Sequence, residues 1–174
     1  MKPRSFILFL VLSVSNLIAA DPVEFRVGSF SFERPQGWHW IVPTSSMRKA
    51  QLAVPNTKGE AAEVNFFHFG AGQGGGVKAN VDRWFGQFQN ATNSQKESNI
   101  AGTVVVLVEA KGTFFSGMPG GPTTPKEDYA LRGAILRDDS HGDVFVKMTG
   151  PAKLLESAQE GFDKMVGDAA KSKR

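Results

Sequence analysis

A chain of 174 residues with 41% hydrophobic residues is long enough to bury one core and too apolar to be disordered. Of its formal net charge of +3, Lys2 and Arg4 supply two units in a stretch without acids, so residues 21–174 carry only +1 and no electrostatic case for a nucleic-acid partner exists. The absence of cysteine excludes disulfides and lipoprotein anchoring.

The first twenty residues stand apart. Lys2 and Arg4 precede an apolar run, Phe6 to Ile18, and Ala19-Ala20 follow before Asp21. This is the layout of a secretory signal peptide, and the run is short for a membrane span. The expected organisation is a signal over 1–20, one domain over 21–168 and a basic tail over 169–174. The expected location is the periplasm, the cell envelope or the medium, without stable membrane insertion after cleavage. An exported protein without disulfides is held together by packing alone.

Val23 to Val27 alternates apolar and polar residues and predicts a strand, which Phe30-Ser31-Phe32 continues. Pro35-Gln36-Gly37 is a turn; Trp38 to Val42 is extended again, and Met47 to Val54 and Ala62 to Phe69 are further strands. Val77, Val81, Trp84, Phe85 and Phe88 recur at three- and four-residue spacing, which predicts a helix over 78–88. Polar Asn90 to Asn99 reads as a loop. The β-branched run Gly102 to Glu109 suits a strand covered on both faces. Phe114 to Pro122 reads as a surface loop, and Tyr129–Arg137 with Val144–Met148 as a hairpin. Leu154, Leu155, Ala158, Phe162, Met165 and Val166 mark a last amphipathic helix. Short turns between strands predict an α+β fold with a mainly antiparallel sheet flanked by helices.

The opening Phe30-Ser31-Phe32-Glu33-Arg34-Pro35-Gln36-Gly37-Trp38 resembles the start of the PsbP-like and Mog-type domains: an aromatic strand, a proline turn and a Trp. The end is similar too: Tyr129–Arg137, a glycine-bearing turn, Val144-Phe145-Val146-Lys147, then Gly150-Pro151 and a helix carrying Phe162. The resemblance covers roughly residues 25 to 168, by eye. It implies an α/β/α sandwich and no catalytic residues, since members act mostly as binding or assembly proteins, one branch on photosystem II and another on a small GTPase. No residue here matches either partner surface.

Gly70-Ala71-Gly72-Gln73-Gly74-Gly75 satisfies G-x-G-x-x-G between a strand and a helix. The flanking strand does not open a βαβ unit, however, and no acid ends a following strand, which argues against a dinucleotide. Lys78 is not adjacent to the last glycine, so a P-loop fails. An anion site from Gly74, Gly75 and Gly76 with Lys78, or a plain connector, remains. His39, His68 and His141 show no metal-ligand spacing, and no G-x-S-x-G occurs. Arg48 shares strand parity with Ala50, Leu52 and Val54; if these face the core, it needs a carboxylate partner, a ligand carboxylate or a sheet edge. Trp38 and Trp40 share a strand face and, if exposed, mark an interface. The expected function is a non-enzymatic exported domain that binds or helps assemble a protein or envelope component, without metal or cofactor. The alternative is a small-ligand or anion carrier using the Gly70–Gly76 loop and Arg48.

Overall fold

The computed structural model describes residues 21–117 and 121–173. The signal peptide read over 1–20, the tip of the predicted loop at 118–120 and Arg174 lie outside the described residues.

A small hairpin, β1 (Glu24–Val27) and β2 (Phe30–Glu33), precedes a seven-stranded sheet. The sheet contains β3 (His39–Trp40), β4 (Arg48–Val54), β5 (Ala62–His68), β6 (Phe88–Ile100), β7 (Thr103–Gly117), β8 (Thr123–Leu136) and β9 (Val144–Pro151). Its order is β3-β4-β5-β9-β8-β7-β6, and every neighbouring pair is antiparallel. Helix α1 (Val77–Phe85) carries the chain from β5 across one face to the far edge at β6; β7, β8 and β9 then step back to pair with β5. Helix α2 (Ala152–Lys171) and the β1–β2 hairpin cover the opposite face. The fold is α+β, a mainly antiparallel sheet flanked by helices.

Two apolar clusters divide along the sheet faces. On the α2 side, Phe30 and Phe32 of the hairpin meet Leu52, Phe66, Val146 and Met148 of the sheet and Phe162 of α2. On the α1 side, Val81, Trp84 and Phe88 meet Val106, Val108, Ile135 and Phe145. β7 is buried on both sides at Val105 and Val106, as its β-branched run predicts. Arg132 is a buried charge on the α2 side. It reaches Asp163 of α2 through Nε (2.8 Å) and Nη2 (2.6 Å), a bidentate fork that ties the helix to the sheet, and it also pairs with Glu109.

Three segments differ from their sequence reading. The polar stretch taken as a loop is β6, an edge strand of 13 residues paired with β7 from Phe88↔Phe114 to Ile100↔Thr103. It is exposed on both faces for most of its length, so it carries no apolar alternation to find; its ladder bonds come from β7. Phe114–Gly117, taken as part of a loop, pairs with Thr123–Lys126 and extends the β7–β8 ribbon beyond the main sheet. The C-terminal residues taken as a tail are packed. α2 reaches Lys171, Ala169 and Ala170 are buried, the Thr103 hydroxyl donates to the Ala170 carbonyl (2.8 Å), and the Ser31 amide donates to Ser172 Oγ (2.9 Å).

Candidate functional site

α1 covers only part of its face. It lies over β7, β8 and β9, and leaves β4 and β5 open as the floor of a trough of about 580 Å³. The β7–β8 ribbon forms one wall, with Phe114 and Lys126 at its rim.

One row crosses that floor. The pairings Gln51↔Asn65, Asn65↔Lys147 and Lys147↔Gly133 set Gln51, Asn65 and Lys147 side by side on three strands, with Trp84 seated over Gly133. Adjacent positions in such a row lie about 4.8 Å apart. Arg48 joins them through a β-bulge. The register shifts between Arg48 and Ala50, so Arg48 pairs with Phe67 while Ala50 pairs with Phe66. The extra residue turns Arg48 to the face opposite Ala50, Leu52 and Val54, which corrects the parity expected from strict alternation. Arg48 Nη1 donates to Gln51 Oε1 at 3.0 Å, and Arg48 pairs with no carboxylate among the described residues.

Lys147 reaches under the ribbon. Its ammonium donates to Gln87 Oε1 and lies 5.5 Å from the centre of the Phe114 ring. Burial pushes Lys147 down to about 8, with Glu63 opposing the shift and Arg83 adding to it. Lys147 too has no ion pair among the described residues. Asn65 is 9% exposed. Its Nδ2 donates to Glu63 Oε2 (3.3 Å), and its Oδ1 is buried without a partner. At the far rim Glu60 is paired with Lys126 and accepts from the Tyr129 hydroxyl, so those charges are already satisfied.

Gln51, Asn65 and Lys147 were not singled out from the sequence. The available signal was a polar residue inside each of two apolar strands, Asn65 within Ala62–Phe69 and Lys147 within Val144–Met148.

The other sequence candidates lie elsewhere. Trp38 is buried and Trp40 half-buried on the α2 side, where Trp40 meets Phe25 edge-on at 5.3 Å. Their rings fill the core beside the hairpin and do not form an exposed pair. The glycine loop does not share the trough. It lines a separate cleft with Arg137, Asp138, Asp139 and Asp143, whose carboxylates disfavour an anion. Lys78 points away and pairs with Asp82 at 2.6 Å. The carbonyls of Gly74, Gly75 and Gly76 are all held by the buried Asn80 side chain at 2.9–3.1 Å. Gly70, Gly72, Gly74 and Gly75 have positive φ, and a Cβ on Gly142 would lie 2.3 Å from the Gly70 carbonyl. The glycines thus serve a tight approach between this loop and the β8–β9 turn.

That turn is organised by Asp138, which is 2% exposed. Burial pushes its carboxyl up, but the Ser29 hydroxyl (2.5 Å), the His141 amide and ring and the Ser140 amide outweigh burial and hold it at about 2. Ser29 donates to Asp138 rather than to His141, so this cluster leaves the serine without a base and reads as a clamp on the turn. Because the folded value lies below the usual carboxylate value, Asp138 adds stability that is present above about pH 4 and lost as pH falls towards 2, about 2 kcal/mol in all. Acid titration of unfolding free energy is expected to show a shallower acid limb for Asp138→Asn than for the parent protein.

No family model and no curated protein matches the sequence. Several solved structures match the chain, among them the following two. The solution structure of cyanobacterial PsbP (CyanoP) from Synechocystis sp. PCC 6803 has 10% sequence identity and a TM-score of 0.54 over 90% of this chain and 95% of that one. A crystal structure of a protein of unknown function from Pseudomonas aeruginosa has 14% identity and a TM-score of 0.49 over 83% and 92%. The fold comparison rests on the first.

Proposed function

The chain has a PsbP-like fold, and on that scaffold we propose that it is an exported, non-enzymatic binding domain that holds an anionic ligand in the trough between β4–β5 and the β7–β8 ribbon. One observation carries the reading: Arg48 and Lys147 line the same open trough, and neither has a carboxylate partner among the described residues. Two cations set against the single carboxylate of Glu63 in a partly desolvated site are stabilised by an anion brought from outside. The trough volume lies in the range of small-molecule sites. Export rests on the first twenty residues; N-terminal sequencing of protein recovered outside the cytoplasm should begin at Asp21, and an intact Met1 there would contradict cleavage.

Thermal unfolding in sulfate and in glutarate tests the ligand reading. Each anion is expected to raise Tm, approaching about 2.7 kcal/mol of added stability at 100 times its Kd. Arg48→Met should lose about half of that shift while folding normally. An equal shift in the variant would move the site elsewhere.

A second reading keeps the partner macromolecular, a protein or envelope component. It is favoured by the segment between β3 and β4, where Val42 is 74% and Met47 61% exposed beside Ile41 at the trough edge. Sedimentation with phospholipid vesicles that is unchanged in Val42→Ser would remove lipid contact through this tip.

A further inference from the structure

The trough offers more than positive charge, and what it offers defines a ligand class; the inference rests on the anionic reading above. Asn65 sits on β5, the strand between β4, which carries Arg48, and β9, which carries Lys147. The acceptor therefore lies between the two cations. Two strand spacings and an offset of two residues put the Arg48 and Lys147 Cα atoms about 12 Å apart. Both side chains are long enough to bring their heads to the ends of a four- or five-carbon chain laid across Asn65.

The Asn65 amide has a fixed sense. Its Nδ2 is engaged by the Glu63 carboxylate, which leaves Oδ1 as the buried atom without a partner. A buried carbonyl left unpaired is destabilising, so the site favours a ligand that brings a donor to that point. Glu63 beside it makes a cationic donor better than a neutral one. The charges agree. Glu60 and Lys126 cancel, which leaves Arg48 and Lys147 against Glu63, a net single positive charge.

We propose that the trough recognises a small amino dicarboxylate, the chemistry of an acidic amino acid, with its carboxylates on Arg48 and Lys147 and its ammonium on Asn65 Oδ1 and Glu63. Such a molecule carries one net negative charge and meets each unsatisfied group in the trough with its complement. Monocarboxylates leave one cation unpaired, and simple diacids leave Oδ1 unpaired.

Calorimetric titration of the purified protein with L-glutamate, glutarate and L-glutamine tests this. L-Glutamate is expected to bind at least 10-fold more tightly than either of the others. In Asn65→Leu the preference for glutamate over glutarate should vanish while glutarate affinity stays within 3-fold. Arg48→Met, at a half-buried position, should weaken both diacids about 10-fold and provides a second variant if Asn65→Leu does not fold. Glutarate binding as tightly as glutamate to the parent protein would overturn the donor assignment and leave the anionic trough standing. Glutamine binding as tightly as glutamate would overturn the second carboxylate contact. Stabilisation by sulfate with no binding of the three probes would overturn the ligand class alone, and no response to any anion would overturn both readings.

Discussion

Gly133→Val is expected to destabilise the protein by about 3 kcal/mol, roughly 9 °C in Tm for a domain of this size. Gly133 lies in the middle of β8, where side chains on its face would normally help fill the α1-side core. Instead the Trp84 ring occupies that space: a Cβ at Gly133 would fall 2.3 Å from Trp84 Cζ3 and 2.8 Å from Cε3. Both obstructing atoms belong to a rigid ring that is itself buried, so the ring can clear a valine only by lifting α1. α1 has nine residues, no side-chain cap at Gly76 and three buried residues, so little else holds it down. Trp84→Ala should be destabilising alone, by about 3–5 kcal/mol, but the pair Gly133→Val with Trp84→Ala should cost less than the sum by about 1–2 kcal/mol, because the absent ring no longer obstructs the valine and the valine fills part of the space the ring leaves. Strict additivity in denaturant unfolding would show that Trp84 does not seat α1 through Gly133. The consequence reaches the trough, because Gln87, just beyond α1, holds the Lys147 ammonium.

Arg48→Met with Lys147→Met is expected to lower the affinity for a diacid at least 100-fold, about 2.7 kcal/mol. The empty double variant should be no less stable than the parent. Lys147 keeps a charge in an enclosed site that pushes it down to about 8, and an unbranched apolar side chain beside Phe114 removes that burden. The sign of the pH dependence follows. A lysine whose folded value is lowered opposes folding below about 8, and stability rises as pH increases from about 8 towards the usual lysine value. Diacid binding runs the other way: it needs the charged ammonium, so affinity should fall as pH rises through 8. Glu63 and Arg83 are the charges that act on Lys147 there. Diacid affinity unchanged from pH 7 to pH 9.5 would remove Lys147 from the site. Loss of binding without loss of stability is the pattern of a group kept for ligand contact rather than for packing.

The sandwich was legible because its parts are local. The alternation of β1 and β2, the three- and four-residue spacing of Val81, Trp84 and Phe88, and the β-branched run in β7 each report which sides of an element are covered. β6 was not legible, since an edge strand exposed on both faces has no apolar period to read. Arg48 drew notice as a charge in an apolar strand, but its direction depends on one extra residue in β4, and a bulge leaves no mark in the residue types. Asn65 and Lys147 are 82 positions apart and meet only because the chain crosses to the far edge at β6 before returning to β5. No local pattern predicts that pairing. The glycine loop drew more attention than its structure supports, because G-x-G-x-x-G spacing is shared by phosphate cradles and by tight connectors; the side chain that separates them here, Asn80, lies inside the helix.

A heteronuclear NMR titration with L-glutamate locates the ligand residue by residue. The trough reading predicts amide shifts that saturate together at Gln51, Asn65, Phe67, Phe114 and Lys147, with the side-chain amide of Asn65 among the largest. Shifts centred on Gly70–Gly76 or on α2, with the trough residues unmoved, would contradict it.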